Sequence, residues 1–347
     1  QRRPIMISFR LNAPRDAGFV DVPTPVPGPQ EVLLSVRYVG YCGSDLNTFR
    51  GLNPMVSYPR IPGHEISGVI VECGSQVPAD WGVGTAVTLS PYTNCGVCSA
   101  CRQMRSNCCR ANQTLGVQRD GALTEFVTVP WTKLFRSASL SLKDLCLVEP
   151  LTVGGHATAR GRVAAGETVC VLGCGAIGLG AIAAAASRQA HVIAVDIDAA
   201  KLDLARAAGA AQVINSAADD LGTAVSALTA GEGPHVVIEA IGLPVTFRAA
   251  VEMACFAGRV VYIGYAKCPV EYETKLFVQK ELDVLGSRNA LGSDFEAVIA
   301  MLESGVFPVD RVITRCYAFA EAGQALRDWD ADPSAVTKIL IQVSSGS

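Results

Sequence analysis

The second half of the chain alternates short apolar runs with longer segments of helical composition. Residues 168–172 (TVCVL) form an apolar run of strand length, and the Ala-rich segment 176–187 has the composition of a buried helix. Further apolar runs follow at 191–195, 235–241 and 258–265, and the segments between them are long enough for helices. This repeat of strand and helix predicts an α/β fold with a doubly wound parallel sheet and right-handed crossovers.

One uncharged stretch, residues 169–186, has about the length of a short membrane span. Four glycines divide it into the predicted strand and the predicted helix, which favours a buried strand–turn–helix over a membrane segment. The first ten residues contain no apolar run of the kind that a secretory signal peptide needs. We therefore expect a cytoplasmic protein that does not enter a membrane.

Composition and net charge further narrow the class of protein to which the chain can belong. Half of the 347 residues are hydrophobic, and 29 basic residues nearly balance 32 acidic ones, which gives a formal net charge of −3. This length favours two domains or one large domain, with enough apolar residues for a sizeable core. A chain without a broad positive field is not expected to bind nucleic acid. Disordered and coiled-coil proteins are also poor fits, since only 18% of the residues are charged.

Five of the thirteen cysteines lie close together, in the segment NCGVCSACRQMRSNCCR. Four of them have the spacing C-x2-C-x2-C-x7-C, namely Cys95, Cys98, Cys101 and Cys109. Four thiolates at this spacing can surround one Zn²⁺ tetrahedrally, and such a closed site is structural because it leaves no position for substrate. The alternative is two local disulfides in a secreted loop, which the N-terminal sequence disfavours.

A second set of potential metal ligands combines Cys42, in the segment YCGSD, with His64 and Glu65 about twenty residues later. A thiolate, an imidazole and a carboxylate suit a zinc site that keeps one position for water or substrate. Glu149 lies in the apolar run LCLVEPLTVGG, where an unpaired carboxylate would be costly. Glu149 therefore needs a partner, and a metal site and a buried Arg or Lys are equally compatible with the sequence.

A glycine fingerprint, G-x-G-x-x-G, follows the first predicted strand at Gly173, Gly175 and Gly178. In a dinucleotide-binding sheet, the first glycine allows a tight turn, the second lets the backbone approach the pyrophosphate, and the third lets helix and strand pack closely. The predicted helix begins at Ala176 and Ile177, so its N-terminus would face the phosphates. The context of strand, turn and helix is the one that makes this motif informative.

Asp196 ends the next predicted strand, about twenty residues after the glycines. A carboxylate at this place accepts hydrogen bonds from the adenosine ribose and repels a 2′-phosphate, which favours NAD over NADP. A helix N-cap is the alternative role for Asp196, although Asp198 fits that role better. Gly264 follows a later strand, at the edge where a cofactor crevice would open.

These motifs occur in the order that is typical of the zinc-dependent medium-chain dehydrogenase/reductases, and the chain resembles that family over essentially its whole length. Within it, the segments SYPRIPGHE, SNCC and LGSRNAL are most similar to the polyol and sugar-acid branch, which includes sorbitol dehydrogenase, L-threonine dehydrogenase and bacterial L-galactonate oxidoreductase. The resemblance implies a GroES-like β-rich catalytic domain with both zinc sites at 1–150, a Rossmann NAD-binding domain at 151–286, and a return to the catalytic domain at 287–347.

The resemblance also implies a site and a mechanism. It places four residues at a catalytic zinc, directly or through water: Cys42, His64, Glu65 and Glu149. Asp45 would hydrogen-bond the zinc histidine and fix its tautomer. Zinc would activate the hydroxyl of a substrate, Ser44 would accept its proton, and the substrate carbon would deliver a hydride to NAD. Two zinc ions per chain and NAD are therefore the expected cofactors.

Substrate contacts are predicted at three residues. Arg288 matches a position that lines the substrate cleft of polyol dehydrogenases, with Asn289 beside it, and a guanidinium there suits a substrate carboxylate. An ion pair with Glu149 and a contact with the cofactor phosphates are alternative roles for Arg288. Phe49 is a candidate for shaping the pocket, and a place in a surface loop explains it equally well.

The expected activity is oxidation of a secondary alcohol of a sugar acid or polyol by NAD, with an L-galactonate-like substrate favoured. A sorbitol-like neutral polyol and an L-threonine-like substrate are the alternatives within this class. A catalytically silent cofactor-binding protein is the alternative of another class, and the presence of both sets of zinc ligands argues against it. The resemblance further suggests a homodimer or homotetramer.

Overall fold

The chain folds into strands and helices over residues 4–344, the part that the computed structural model describes. In chain order, the strands are β1 (Ile5–Ala13), β2 (Asp16–Pro23), β3 (Glu31–Tyr41), β4 (Glu65–Cys73), β5 (Ala86–Leu89), β6 (Phe126–Pro130), β7 (Leu134–Phe135), β8 (Thr168–Leu172), β9 (His191–Asp196), β10 (Gln212–Asn215), β11 (Val236–Glu239), β12 (Arg259–Tyr262), β13 (Asp283–Gly286), β14 (Ile313–Ala318) and β15 (Lys338–Gln342). The α-helices are α1 (Gly43–Phe49), α2 (Ser99–Arg102), α3 (Leu142–Arg160), α4 (Ala176–Ser187), α5 (Ala199–Ala207), α6 (Leu221–Leu228), α7 (Pro244–Met253), α8 (Lys275–Gln279), α9 (Gly292–Glu303), α10 (Val309–Val312) and α11 (Ala322–Ala331).

The chain is divided into two compact units, and the first unit is assembled from two segments that are far apart in sequence. The first unit comprises the chain up to Glu149 and the chain from Val312 onward, whereas Pro150–Arg311 forms the second. The sequence analysis placed the return to the first unit at residue 287, earlier than this boundary. Residues 287–311 remain with the second unit because they contain α9, which packs on α4.

A seven-stranded sheet forms the framework of the first unit. Its strand order is β14-β15-β3-β4-β5-β7, and β6 also pairs with β3. β15 pairs antiparallel with β3, so a strand from the end of the chain lies beside one from the beginning. Consecutive residues of β3, from Val32 to Val36, are all buried, as expected for a strand that is covered on both faces.

The second unit contains a six-stranded parallel sheet with the order β10-β9-β8-β11-β12-β13. This confirms the predicted doubly wound α/β sheet. The strand order changes direction between β8 and β11, and ligands of such sheets bind beyond the carboxyl ends of the strands at this switch point. The second unit therefore has the architecture of a dinucleotide-binding domain.

The uncharged stretch 169–186 is divided as the glycines predicted. It supplies most of β8, the glycine turn and most of α4, and Val169, Ile182 and Ala185 are fully buried within the second unit. Over residues 4–344, no helix combines the length and the apolar character that are needed to cross a membrane.

Two candidate metal groups and a dinucleotide-binding turn

Three side chains with metal-binding atoms meet in the first unit: Cys42, His64 and Glu65. Their ligand atoms all lie within 4.8 Å of one another. Cys42 follows the end of β3 and is the N-cap of α1, whereas His64 and Glu65 lie at the start of β4. β3 and β4 pair antiparallel, with Gly40 opposite Glu65. The pairing of these two strands thus brings together the three residues that the sequence analysis selected, and we name them, after the role predicted for them there, the catalytic-metal group.

Asp45 caps a helix and lies close to an imidazole. Its Oδ2 accepts a hydrogen bond from the Cys42 N–H at 2.9 Å. Its Oδ1 lies 3.9 Å from His64 Nδ1, beyond hydrogen-bond distance, and this nitrogen has no hydrogen-bond partner within residues 4–344. Burial alone would lower the pKa of His64, but the Asp45 carboxylate and Cys42 raise that pKa well above its ordinary value. Negative groups therefore surround this imidazole, and the same groups would also favour a metal cation bound to its neutral form.

A buried cation that the sequence analysis missed, Lys338, holds Glu65. Its Nζ donates to the two Glu65 carboxylate oxygens at 2.6 and 2.7 Å and to the Tyr41 carbonyl oxygen at 3.1 Å. Burial lowers the pKa of Lys338, but the negative charges of Glu65 and Cys42 raise it more, and it stays above its ordinary value. The only signal in the sequence is a lysine that opens the apolar run KILIQV.

Glu149 lies on α3, is buried, and has a phenol as a partner. The hydroxyl of Tyr92, itself buried, donates to Glu149 Oε1. The sequence analysis considered a metal or a buried Arg or Lys as the partner of Glu149 and did not consider a tyrosine. Burial raises the pKa of Glu149 to about 7, and its electrostatic interactions with His64 and Glu65 place it near the catalytic-metal group.

The buried charges around this group fit a divalent cation. Cys42, Asp45, Glu65 and Glu149 can each carry a negative charge, whereas Lys338 and His64 are the two basic side chains among them. A thiolate, an imidazole and carboxylates are also the ligand types that zinc binds in catalytic sites. Ser44 adds a hydroxyl whose buried Oγ has no hydrogen-bond partner within residues 4–344. The side chains present therefore fit Zn²⁺ beside a hydroxyl that is available for proton transfer.

The four cysteines of the predicted structural site also come together, and we name them the tetracysteine group. The Sγ of Cys98 lies 3.5 Å from that of Cys101 and 3.9 Å from that of Cys109. A tetrahedral Zn²⁺ site with zinc–sulfur bonds of about 2.3 Å requires sulfur–sulfur separations of about 3.8 Å. The thirteen cysteines are all free thiols, and backbone N–H donors lower the pKa of Cys98 to about 6. Burial raises the pKa of Cys101 to about 11 instead, so it is the sulfur spacing that is compatible with a structural zinc.

The glycine turn has the geometry that a pyrophosphate needs. Gly173 has φ of +99°, and a Cβ on Gly178 would lie 1.8 Å from the Gly173 carbonyl oxygen, so the turn and the helix pack too closely for side chains. A Cβ on Gly175 would instead enter open space, with no atom within 4 Å. Ala176 and Ile177 begin α4 directly after it. The backbone N–H groups at this helix start are therefore open to an anionic ligand.

Asp196 ends β9 and is held by backbone donors. Its Oδ2 accepts from the Cys174 N–H of the glycine turn at 2.8 Å, and its Oδ1 accepts from Ile197 and Asp198 at 2.8 and 3.1 Å. Asp198, and not Asp196, is the N-cap of α5, where it accepts from Ala200 N at 2.8 Å. Asp196 is therefore fixed beside the glycine turn, and the N-cap alternative does not apply to it.

The remaining residues that the sequence analysis predicted to contact the cofactor or the substrate differ from one another in how deeply they are buried. Gly264 is packed tightly, because a Cβ there would lie 2.4 Å from Gly242 N and 2.5 Å from a buried Glu239 oxygen. Arg288 is exposed and follows β13. Asn289, the second predicted substrate contact, is half-buried. Phe49, the third, is 3% exposed and belongs to the apolar core of the first unit.

Comparisons with known proteins agree with these features. The chain matches the model of the alcohol dehydrogenase GroES-like domain over residues 28–139 and that of the zinc-binding dehydrogenase over residues 176–304. It is 34% identical to L-galactonate-5-dehydrogenase of Escherichia coli K12 over 85% of this chain and 87% of that protein. It is 32% identical to sorbitol dehydrogenase of Halalkalibacterium halodurans over 87% and 89% of the two chains.

A solved structure is similar over nearly the full length. The alcohol dehydrogenase RspB of Escherichia coli CFT073, complexed with NADH, has a TM-score of 0.90 and 30% identity, and the match covers 98% of this chain and 99% of that one.

Proposed function

Since this chain belongs to the zinc-dependent medium-chain dehydrogenases, in their polyol branch, and is an NAD-dependent alcohol dehydrogenase that uses zinc, we propose that it oxidises a secondary alcohol of a sugar acid or polyol. An L-galactonate-like hydroxy acid is the favoured substrate. The observation that carries this proposal is the catalytic-metal group, with a serine hydroxyl near its cysteine that has no hydrogen-bond partner among the described residues 4–344. Neutral polyols and L-threonine are the alternative substrates.

Each side chain at this group has a role in the proposed reaction. A zinc ion bound by Cys42, His64 and a carboxylate from Glu65 or Glu149 would supply Lewis-acid activation of the substrate hydroxyl. Ser44 would accept the hydroxyl proton, since its buried Oγ has no other partner within residues 4–344. Asp45 supplies a carboxylate 3.9 Å from His64 Nδ1, which would stabilise the imidazole electrostatically. The second unit supplies the glycine turn and Asp196 for NAD, which accepts the hydride.

We expect Asp196→Asn to weaken the preference for NAD over NADP by about 10- to 100-fold. The change removes the charge that repels a 2′-phosphate, while the amide keeps one oxygen, which can accept either from the Cys174 N–H or from the Ile197 and Asp198 N–H groups. The measurement is kcat/KM for both cofactors at one substrate concentration. Asp198→Asn is the matched control, because it removes an equal charge two residues away at the start of α5. An equal effect of the two substitutions would exclude a specific role for Asp196.

The substrate class is tested by NADH formation from a hexonate and from the hexitol of matched stereochemistry. We expect a higher kcat/KM for the hexonate, and a loss of about 10- to 100-fold for that substrate alone in Arg288→Ala, because a guanidinium–carboxylate contact is worth about 1.5–3 kcal/mol. Arg248→Ala, at an exposed arginine of α7, is the control. Preference for the hexitol would assign the enzyme to neutral polyols and leave Arg288 without a substrate role.

We further infer a homo-oligomer in a reducing compartment. β13 is an edge strand of the six-stranded sheet, and its Val284 is 43% exposed. An open apolar edge of this kind is suited to pairing with a second copy of the chain. Thirteen free thiols suit the cytoplasm, where cysteines stay reduced.

A further inference from the structure

Glu239 is a buried carboxylate at the end of β11 that has no part in the reaction proposed above. Its side chain is fully buried, and β11 lies between β8 and β12 in the six-stranded sheet. Glu239 is paired with Leu172 of β8 and with Tyr262 of β12. The glycine turn follows Leu172, and Gly264 follows Tyr262, so Glu239 lies between the two turns where the sequence analysis expected the cofactor crevice.

One oxygen of this carboxylate holds the loop that follows β11. Glu239 Oε1 accepts hydrogen bonds from Ile241 N at 2.9 Å, from Gly242 N at 2.7 Å and from Thr246 Oγ1 at 2.7 Å. The N-cap residue of α7, Leu243, makes no side-chain cap hydrogen bond. The Glu239 carboxylate therefore joins this loop to the first turn of α7, and it does so with a charged acceptor, which forms stronger hydrogen bonds than a neutral one.

The loop after β11 also contacts the loop after β12. The Glu239 carbonyl oxygen accepts from Ile263 N at 2.9 Å and from Gly264 N at 3.2 Å. A Cβ on Gly264 would lie 2.5 Å from Glu239 Oε2, and a Cβ on Gly242 would lie 2.9 Å from the Tyr265 carbonyl oxygen. The two backbones and the carboxylate leave no room for side chains at these glycines, so Glu239 fixes how the two loops lie against each other.

The glycine turn touches the loop after β11 but has anchors of its own. A Cβ on Gly173 would lie 2.7 Å from Ile241 Cγ1, so the turn and the loop are in contact. Gly173 N donates to the Val195 carbonyl oxygen of β9 at 2.8 Å, and Asp196 accepts from the next N–H group of the turn. The turn is therefore anchored to β9, whereas the loop after β11 is anchored by Glu239.

The strand order indicates which half of NAD would lie beside these loops. Asp196, the predicted contact of the adenosine ribose, ends β9, and the glycine turn, the predicted site of the pyrophosphate, follows β8. The order along the sheet is β9-β8-β11-β12. A dinucleotide that extends from Asp196 across the glycine turn would therefore continue toward the ends of β11 and β12, with its nicotinamide half beside the loops that Glu239 holds.

We propose that Glu239 is a positioning residue for the nicotinamide half of NAD and that it acts through the loops after β11 and β12. The carboxylate itself is fully buried, so it fixes the backbone of the nicotinamide site without touching the cofactor. Without this acceptor, Ile241 N and Gly242 N lose their partner and the loop loses its fixed position. The adenosine half keeps Asp196 and the glycine turn. The inference rests on the proposed placement of NAD on the second unit.

The test compares the equilibrium affinities of NADH and ADP for the full-length chain, without an alcohol substrate. ADP contains the adenosine and the two phosphates but no nicotinamide. We expect Glu239→Met to weaken NADH binding by about 10- to 100-fold and ADP binding by less than about 2-fold, because an apolar side chain of similar size cannot accept the three hydrogen bonds. Glu239→Gln keeps Oε1 as an acceptor and should stay within about 5-fold of the wild-type affinity for NADH.

Glu167→Met is the matched control. Glu167 directly precedes β8, at the opposite edge of the same sheet, where its carboxylate accepts from Ala164 N at 2.8 Å and pairs with Arg259. This substitution should lower stability without changing the ratio of the NADH and ADP affinities. If Glu239→Met does not fold, Thr246→Val replaces it, because it removes one of the three donors to Oε1 and should weaken NADH binding by about 3- to 10-fold.

Two results would overturn the proposal. The first is an equal loss of NADH and ADP affinity in the variant of Glu239 or Thr246, which would mean that the carboxylate supports the whole domain. The second is a ratio of the two affinities that is the same as in Glu167→Met, which would mean that the loops do not depend on Glu239.

Failure of this inference is distinguishable from failure of the proposed function. If the inference alone is wrong, the wild-type enzyme reduces NAD with a polyol or sugar acid, and the ratio of the NADH and ADP affinities does not respond to Glu239→Met. If the proposed substrate class is wrong, neither a hexonate nor a hexitol yields NADH, and the ratio of affinities still responds to this substitution.

Discussion

Cys42→Ala should lower kcat by at least about 10⁴-fold, equivalent to about 5.5 kcal/mol of transition-state stabilisation, while the fold is retained. Cys42 supplies the thiolate of the catalytic-metal group, and it lies at a helix start and not in the apolar core. Without it, His64 and the carboxylates are left to bind the metal alone. The zinc content should fall from about two ions per chain to about one, since the tetracysteine group keeps its own ligands.

The measurements are the rate of NADH formation, the zinc content and the thermal unfolding midpoint. Cys73→Ala is the matched control, because Cys73 is a half-buried thiol at the end of β4 that belongs to neither metal group. It should keep the wild-type activity and zinc content. A Cys42→Ala protein with two zinc ions and normal turnover would show that the catalytic-metal group is not the reaction centre.

Lys338→Met should destabilise the protein by about 3–5 kcal/mol, the usual cost of removing one partner of a buried ion pair. Its ammonium is the protein cation that contacts Glu65, and the two side chains are 4% and 1% exposed. The substitution leaves the Glu65 carboxylate buried without that charge. The measurement is the free energy of unfolding from urea titration of the zinc-loaded protein.

Two further variants separate the charge effect from other causes. Glu65→Gln combined with Lys338→Met should regain part of the lost stability, because no uncompensated charge then remains buried. Lys275→Met removes an exposed pair with Glu273, where both side chains are more than half exposed, and should cost no more than about 1 kcal/mol. An equal loss in Lys338→Met and Lys275→Met would mean that burial of the Lys338–Glu65 pair contributes nothing.

The motifs whose residues lie close together in sequence were predictable, because the short spacing between these residues limits how far apart their side chains can lie in the fold. The four cysteines come from one short loop, and Gly173, Gly175 and Gly178 come from one turn. Cys42 and His64 were also accessible, since they flank two strands that pair as neighbours.

Lys338 and Tyr92 could not be found in this way. Lys338 contacts Glu65 across 273 residues of sequence, and Tyr92 contacts Glu149 across 57. The first contact depends on strand order and register, and the second depends on how the loop after β5 packs against α3. Composition and periodicity specify neither. The packing of α9 on α4, which keeps residues 287–311 with the second unit, is likewise not visible in the sequence, because the pattern of α9 resembles that of any amphipathic helix.

The position of β15 beside β3 affects how the protein is made. On the ribosome, β3 and β4 emerge early, but the strand that completes the sheet beside β3 and brings Lys338 to Glu65 is synthesised 273 residues after that carboxylate. At about 5–20 residues per second, Glu65 waits for roughly 15 to 55 s without its cation. The second unit, which is continuous in sequence, can finish folding in this interval. A nascent chain that stalls before residue 338 would therefore contain a folded second unit and an incomplete first unit. Chaperones and proteases would act on the chain in this form.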